Sequence, residues 1–189
     1  MISIQQLCPL PLKEGGFTDH SQIWLQERQF NKGNRYLVTA PSGKGKSTLL
    51  HILYGLRKDY EGTVFWDESD IRDFDPDQWS ALRQEKLSIV FQDLRLFMQR
   101  TAWENIWIKN ELTQLFDKQA IRSMTERLGV DHLLEKPAHT LSYGQRQRFA
   151  IIRALCQPFD FLLLDEPFSH LDDQNIALAS QLIEEHRSR

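Results

Sequence analysis

Cysteine is scarce in this chain of 189 residues: there are two, Cys8 and Cys156, and neither belongs to a CxxC pair or a His/Cys cluster. That argues against a disulfide framework or a zinc site and fits a reducing compartment. Long apolar runs are missing too. No stretch approaches the roughly 20 residues a bilayer span needs, and no signal peptide opens the chain. The expectation is a soluble, cytoplasmic protein that reaches a membrane only through a partner. An excess of charge is also lacking. The formal net charge is -3, so no basic field points to nucleic acid. There is no internal repeat, no low-complexity tract, and no heptad run between Ser47 and Asp165 that would make a coiled coil. What is present is a 41% apolar composition, enough for a core, at a length that suits one domain or one domain with a subdomain.

Punctuation along the chain predicts an α/β order. Ile2 to Leu7 reads as a strand, and Pro9, Pro11, Gly15 and Gly16 break it. Ile23 to Phe30 alternates and reads as a second strand, with Ile23 and Leu25 set against Gln22 and Gln26. Lys32-Gly33-Asn34 turns the chain into a third at Tyr36–Thr39. A helix is expected from Lys46 to about Tyr54, a strand at Thr63–Trp66, a short helix at Trp79–Glu85 and a strand at Leu87–Phe91. Helical signals then dominate, at Ala102–Ile108, Lys118–Leu128 and Tyr143–Leu155. Phe161 to Leu164 is a continuous apolar run, as in a central parallel strand buried on both faces, and Asp172 to His186 reads as a last helix.

Thr39 to Leu50 reads T-A-P-S-G-K-G-K-S-T-L-L. A glycine-bearing loop that opens into a helix turns backbone N–H groups inward, and the helix start adds further donors and partial positive charge. Such a loop cradles phosphates. Lys46 supplies a full charge to the β- and γ-phosphates, Ser47 offers a hydroxyl to Mg²⁺, and Gly43 and Gly45 permit close approach of the backbone. Asp165-Glu166 ends the apolar run at 161–164, which puts a carboxylate pair at the carboxyl edge of a parallel sheet. There, Asp165 suits Mg²⁺, and Glu166 suits an attacking water. Ser142 is a good N-cap for the helix that follows, a second anion-binding start.

A-P-S-G-K-G-K-S-T, F-Q-D, L-S-Y-G-Q-R-Q-R, L-L-L-D-E-P and S-H-L-D occur in the order found in ATP-binding-cassette (ABC) ATPases, and the resemblance spans almost the whole chain. Phe91–Ile106 looks most like the lipoprotein-release and macrolide-export type. The resemblance implies an α/β P-loop NTPase fold with a mixed sheet core, residues 1–92 and 156–189, and a helical signature subdomain, 93–155, inserted after the Gln92 loop. It implies ATP and Mg²⁺ as cofactors. Ser42, Gly43, Lys44, Gly45, Lys46, Ser47 and Thr48 would hold the nucleotide, and Ser142, Gly144 and Gln145 would close on ATP bound by the opposite subunit. Ser47, Gln92 and Asp165 would serve the metal, Glu166 and Gln92 catalysis, and Ser169–Asp172 would couple the two sites. The implied partners are a membrane-spanning permease and a second nucleotide-binding subunit in a homodimer, with no nucleic acid. The implied location is peripheral, on the inner face of the cell membrane. The alternative is a nucleotide-gated clamp, or a degenerate or truncated module, with little turnover.

Some positions depart from the family pattern. Ala40 stands at the loop's first glycine, and Tyr143 replaces a glycine of the signature. Where an aromatic usually stacks on adenine the chain reads Pro9-Leu10-Pro11-Leu12, so Phe17 or an apolar clamp by Leu10, Pro11 or Leu12 is the expectation. The family's switch histidine lies on a strand beyond the helix that follows Pro167. His186 falls on helical ground instead, and neither His139 nor His170 occupies the switch position. Leu94, Leu96, Phe97, Met98, Trp103 and Trp107 are divided between core and a groove for a permease helix. Arg146, Arg148 and Arg153 read as a solvated or ion-paired face.

Overall fold

A computed structural model describes residues 1–15 and 21–187, with backbone only at Arg187. Phe17 lies outside the described residues. The chain divides into two compact units, Met1–Leu82 and a second from Arg83 onward.

The first unit is an antiparallel sheet with two helices attached. Strand β1 is Ile2–Pro9 and helix α1 is Leu10–Glu14. Strand β2 is Glu27–Phe30, helix α2 is Lys46–Leu53, β3 is Tyr60–Trp66 and β4 is Ser69–Asp70. Helix α3, Pro76–Glu85, runs into the second unit. The sheet order is β2-β1-β3-β4. Ile2 and Ile4 of β1 point inward, and the period-2 pattern breaks at Gln6, whose φ is 50°, where the pairing with β3 shifts register between Gln5 and Cys8.

Two expected strands of this unit are corrected. Ile23 to Gln26 is a turn, because the Ser21 hydroxyl accepts from the N–H groups of Ile23 and Trp24 at 3.1 and 2.8 Å. That local bond reverses the alternation. Trp24 is buried, whereas Leu25 is 42% exposed. Tyr36–Thr39 forms no strand either, and Leu37 is 89% exposed. An apolar tripeptide becomes a strand only when a ladder takes its N–H and C=O groups. Here Tyr36 is held by the turn before it. Its hydroxyl accepts from Asn31 N–H at 2.8 Å and its ring meets Phe30 edge-on at 5.1 Å.

In the second unit, β5 (Leu87–Val90) and β6 (Phe161–Leu164) pair in parallel, Leu87 opposite Phe161 through Val90 opposite Leu164. Helices α4 (Ala102–Glu111), α5 (Lys118–Arg127), α6 (Tyr143–Leu155) and α7 (Asp173–Arg187) complete it. Their starts are written in side chains. Thr101 with Glu104 and Ser142 with Gln145 form capping boxes, and Asp117 caps α5. Phe149, Ile151, Ile152 and Leu155 of α6 bury fully against Ile106, Ile121 and Leu128. The apolar run at 161–164 differs from the expectation: only Leu163 is buried, and Phe161, Leu162 and Leu164 are half-buried. Both-face burial belongs instead to β5, all four residues of which are buried. Ser88 there donates to the Ala154 carbonyl of α6 at 2.7 Å.

Candidate functional site

The glycine-bearing loop lies wholly in the first unit. Ser42, Gly43 and Lys44 are exposed, and Gly45, Lys46, Ser47 and Thr48 are half-buried at the start of α2. Gly43 and Gly45 take φ of 76° and 91°. The Lys46 amine donates to the Ala40 carbonyl at 2.8 Å and lies 3.4 Å from that of Pro41, so it is folded back over the loop mouth. Ala40 is not among the residues with left-handed backbone, which is why a methyl is tolerated there. Trp24, which the sequence did not flag, and Leu12, expected only as part of an adenine clamp, support the loop from behind. Trp24 donates its indole N–H to the Lys44 carbonyl at 3.2 Å. A Cβ on Gly45 would lie 2.7 Å from Leu12 Cδ1 and 2.9 Å from Trp24 Cζ2. Nothing local in the sequence joins residues 12, 24 and 45; the contact exists because α1 and the 21–26 turn fold onto the loop.

The second unit gathers the other motifs. Asp165 is 3% exposed and continues the parallel ladder through its N–H to the Val90 carbonyl at 3.0 Å. Glu166 turns outward with a φ of 49°. Its carboxylate oxygen is 3.5 Å from the Gln92 side-chain nitrogen, at the edge of hydrogen-bond reach. Helix α6 supports this meeting. Gln147, 1% exposed, donates to the Glu166 carbonyl at 3.1 Å and to Ser169 Oγ at 3.4 Å, and accepts from His170 N–H at 3.2 Å. Ser142 Oγ accepts from Gln145 N–H at 3.3 Å, and the Gln145 side chain accepts from Ser142 N–H at 2.9 Å. Gly144 leaves no room for a side chain, since a Cβ would sit 2.8 Å from the His170 carbonyl. Asp172 is held below the usual carboxylate range by the backbone N–H of Asn175 and then by its side chain.

The loop after Gln92 is braced from within. Asn105, 1% exposed, accepts from Phe97 N–H at 2.7 Å and donates to the Phe97 and Thr101 carbonyls at 3.0 and 2.9 Å. Leu94 and Arg95 both have left-handed φ, 62° and 44°, and Arg153 donates to both their carbonyls at 2.6 and 2.7 Å. Arg148 donates to the Leu128 carbonyl at 2.7 Å and to Asn175 Oδ1 at 3.1 Å, while Arg146 approaches Met98 Sδ at 3.7 Å. The three arginines are therefore braces on backbone and side-chain acceptors, not a solvated face. Leu94 is core, Leu96, Trp103 and Trp107 pack half-buried against it, Met98 is half-buried, and Phe97 is 56% exposed. His139 Nδ1 lies 3.1 Å from the Met98 carbonyl. His186, on α7, rests on Phe116 with its Nδ1 2.8 Å from the Leu182 carbonyl.

Among the described residues no three His, Cys, Asp or Glu side chains cluster as a metal site. The Gln92 amide, whose nitrogen lies 3.5 Å from the Glu166 carboxylate, also carries a carbonyl oxygen, and the buried Asp165 carboxyl precedes Glu166 in the chain. That set suits a hard cation such as Mg²⁺, which takes few protein ligands and fills its octahedron with phosphate oxygens and water.

The family profile described as ABC transporter matches residues 27–169. The chain belongs to the ABC transporter family. Curated relatives of this ABC chain include the molybdate/tungstate import ATP-binding protein WtpC of Pyrococcus horikoshii, 34% identical over 88% of this chain and 47% of its own length. They also include the lipoprotein-releasing system ATP-binding protein LolD of Buchnera aphidicola, 35% identical over 85% of this chain and 71% of its own. The LolD of Legionella pneumophila (strain Paris) is 39% identical over 75% and 64%. The chain thus spans about half the length of the import relatives it matches. A dimeric bacterial ABC transporter cassette superposes with a TM-score of 0.83 at 25% identity, covering 100% of this chain and 83% of that one. The same cassette as a post-hydrolysis dimer bound to ADP and Pi gives 0.80 at 26% identity, covering 99% and 83%. The fold is that of an ABC cassette, an α/β P-loop NTPase with mixed sheet content, and the lipoprotein-release resemblance of the 91–106 stretch is matched by relatives of that name. No helix among the described residues is long and apolar enough to cross a membrane.

Proposed function

We propose that this chain is the ATP-binding and ATP-hydrolysing subunit of a membrane transporter, working as a pair of cassettes that close around nucleotide. The observation that carries the reading is the meeting of Gln92 and Glu166, secured from below by the buried Gln147 of the signature helix. A carboxylate on a left-handed turn, beside an amide 3.5 Å away, can accept from a water that also touches the amide and can take its proton. Lys46 exchanges the Ala40 carbonyl for β- and γ-phosphate oxygens, a charge-assisted bond in place of a neutral one. Ser42, Gly43, Lys44, Gly45, Ser47 and Thr48 line the phosphates through backbone N–H and hydroxyl groups. Ser47, Gln92 and Asp165 would each offer an oxygen to Mg²⁺, which when bound would supply positive charge to the phosphate oxygens. Ser142, Gly144 and Gln145 face the γ-phosphate bound by a second, identical subunit. Residues 93–155 act as the signature subdomain on a core of 1–92 and 156–189. The partner is a membrane-spanning permease, which places the chain on the cytoplasmic face of a membrane. The cargo belongs to the range its relatives' names cover, imported oxyanions or polyamines or released lipoproteins.

The test is the steady-state Mg-ATP hydrolysis rate against Glu166→Gln over a range of protein concentrations. A rate that rises faster than linearly with protein and vanishes in the variant is expected. ATP binding without turnover at any concentration would turn the reading toward a nucleotide-gated clamp.

A further inference from the structure

Tyr143 stands where the signature sequences of this family carry glycine, and its side chain is engaged on every side. Its hydroxyl donates to the carbonyl of Gln92, 51 residues away in the chain. Its ring lies 4.2 Å from the His170 ring at 45°, and the Arg146 guanidinium sits 5.4 Å from its centroid. His170 in turn has Nδ1 2.9 Å from Ser169 Oγ, and its backbone N–H is held by Gln147. The start of α6 therefore grips both loops of the carboxylate meeting. Tyr143 takes the Gln92 side, while Gln147, one turn on, takes the Glu166 side through the Glu166 carbonyl. Gly144 between them lets the helix lie against the His170 carbonyl, where a Cβ would come within 2.8 Å.

The Tyr143 bond falls just past the end of β5. The chain leaves β5 at Val90 and enters a loop with consecutive left-handed residues, Leu94 and Arg95. Arg153 secures the carbonyls of those two residues, and Asn105 secures Phe97. Both anchors lie beyond Gln92. At Gln92 itself the Tyr143 phenol holds the backbone carbonyl.

We propose that Tyr143 is a positioning residue for hydrolysis, which straps the Gln92 backbone to the signature helix and to His170 and so sets where the Gln92 amide meets Glu166. The inference rests on the function proposed above. It also makes a signature helix that reports movement of either loop to the other, since a shift of His170 moves the ring that holds Gln92.

The test is Tyr143→Phe, which keeps the ring on His170 and removes only the bond to Gln92. With Mg-ATP, kcat is expected to fall about fivefold, the value of one hydrogen bond of about 1 kcal/mol, while KM stays within about twofold. In a Gln92→Ala background the same substitution is expected to change nothing further, because the group it positions is gone. Amide hydrogen exchange on the unliganded protein, read over residues 92–98, is expected to quicken in Tyr143→Phe with the rest of α6 unchanged. An unaltered kcat, or a fivefold loss that persists with Gln92→Ala, would overturn the proposal. If the unmodified protein shows no turnover, the transporter reading fails on its own, and the exchange measurement still decides the strap: equal protection at 92–98 in the two proteins would remove it.

Discussion

Gly43 and Gly45 both have left-handed backbone, so replacing either with alanine costs about 1–2 kcal/mol of conformational strain. The surroundings separate them. A Cβ on Gly43 meets nothing within 4 Å, whereas one on Gly45 meets Leu12 Cδ1 at 2.7 Å and Trp24 Cζ2 at 2.9 Å. Leu12 offers the end of a flexible side chain and can swing away. Trp24 is 5% exposed and tied by its indole N–H to Lys44, so it resists. Overpacking of this kind costs about 1–3 kcal/mol beyond the strain. To the extent that the free variant loop relaxes away from Trp24 and ATP must restore its backbone, Gly45→Ala should weaken ATP binding about 5-fold and at most about 140-fold more than Gly43→Ala, at about 1.4 kcal/mol per tenfold. The assay is calorimetric titration with ATP in the absence of Mg²⁺, to avoid turnover, with thermal unfolding measured in parallel. Gly45→Ala should also have the lower Tm. Equal losses in the two variants, or a larger loss in Gly43→Ala, would refute the reasoning that Trp24 and Leu12 buttress the phosphate loop.

Burial pushes the Lys109 amine down to about 8 from its ordinary 10.5, with Arg153 and then Arg83 adding repulsion. Between about pH 8 and 10.5 the unfolded chain holds a proton there that the folded chain has lost, so this group makes stability rise with pH through that window. Lys109→Met is therefore expected to raise Tm at pH 7, with the gain shrinking as pH climbs toward 10; a gain that grows with pH would contradict the assignment. Arg153→Met should cost about 2–3 kcal/mol by urea unfolding, since it strips a charged donor from the carbonyls of two left-handed residues, Leu94 and Arg95. A loss under about 0.5 kcal/mol, the usual size for an exposed surface change, would mean the loop after Gln92 does not depend on that clamp.

The starts of α4, α5 and α6 were legible because their causes are local, whereas α1 occupies Leu10–Glu14 in a stretch read as a loop, and α3 starts at Pro76 rather than Trp79. Ser142 followed by Gln145 signals a capped start, and Asp117 and Thr101 do the same for α5 and α4 within a few residues. The motifs were legible for the same reason. A phosphate loop is a run of adjacent backbone N–H groups, so glycine, lysine and serine must stand in fixed succession, and Asp165-Glu166 must end an apolar strand. The strands were harder. Ile23–Phe30 alternates as a strand should, yet one Ser21 hydroxyl turns its first half aside. Tyr36–Val38 is apolar enough for a strand and lacks a ladder. The arginines of α6 looked like a charged face because their acceptors are carbonyls 20 and 59 residues away.

The order of motifs, the capped starts of α4, α5 and α6 and the chemical character of each site residue are thus determined by the sequence alone, since each depends on neighbours within a few positions. The tertiary structure alone decided which side chains hold those residues in place. Trp24 and Leu12 stand behind Gly45, Gln147 ties Glu166, Ser169 and His170, and Tyr143 reaches Gln92. Such contacts join residues far apart in the chain, and they form only where apolar burial within each unit brings those segments together.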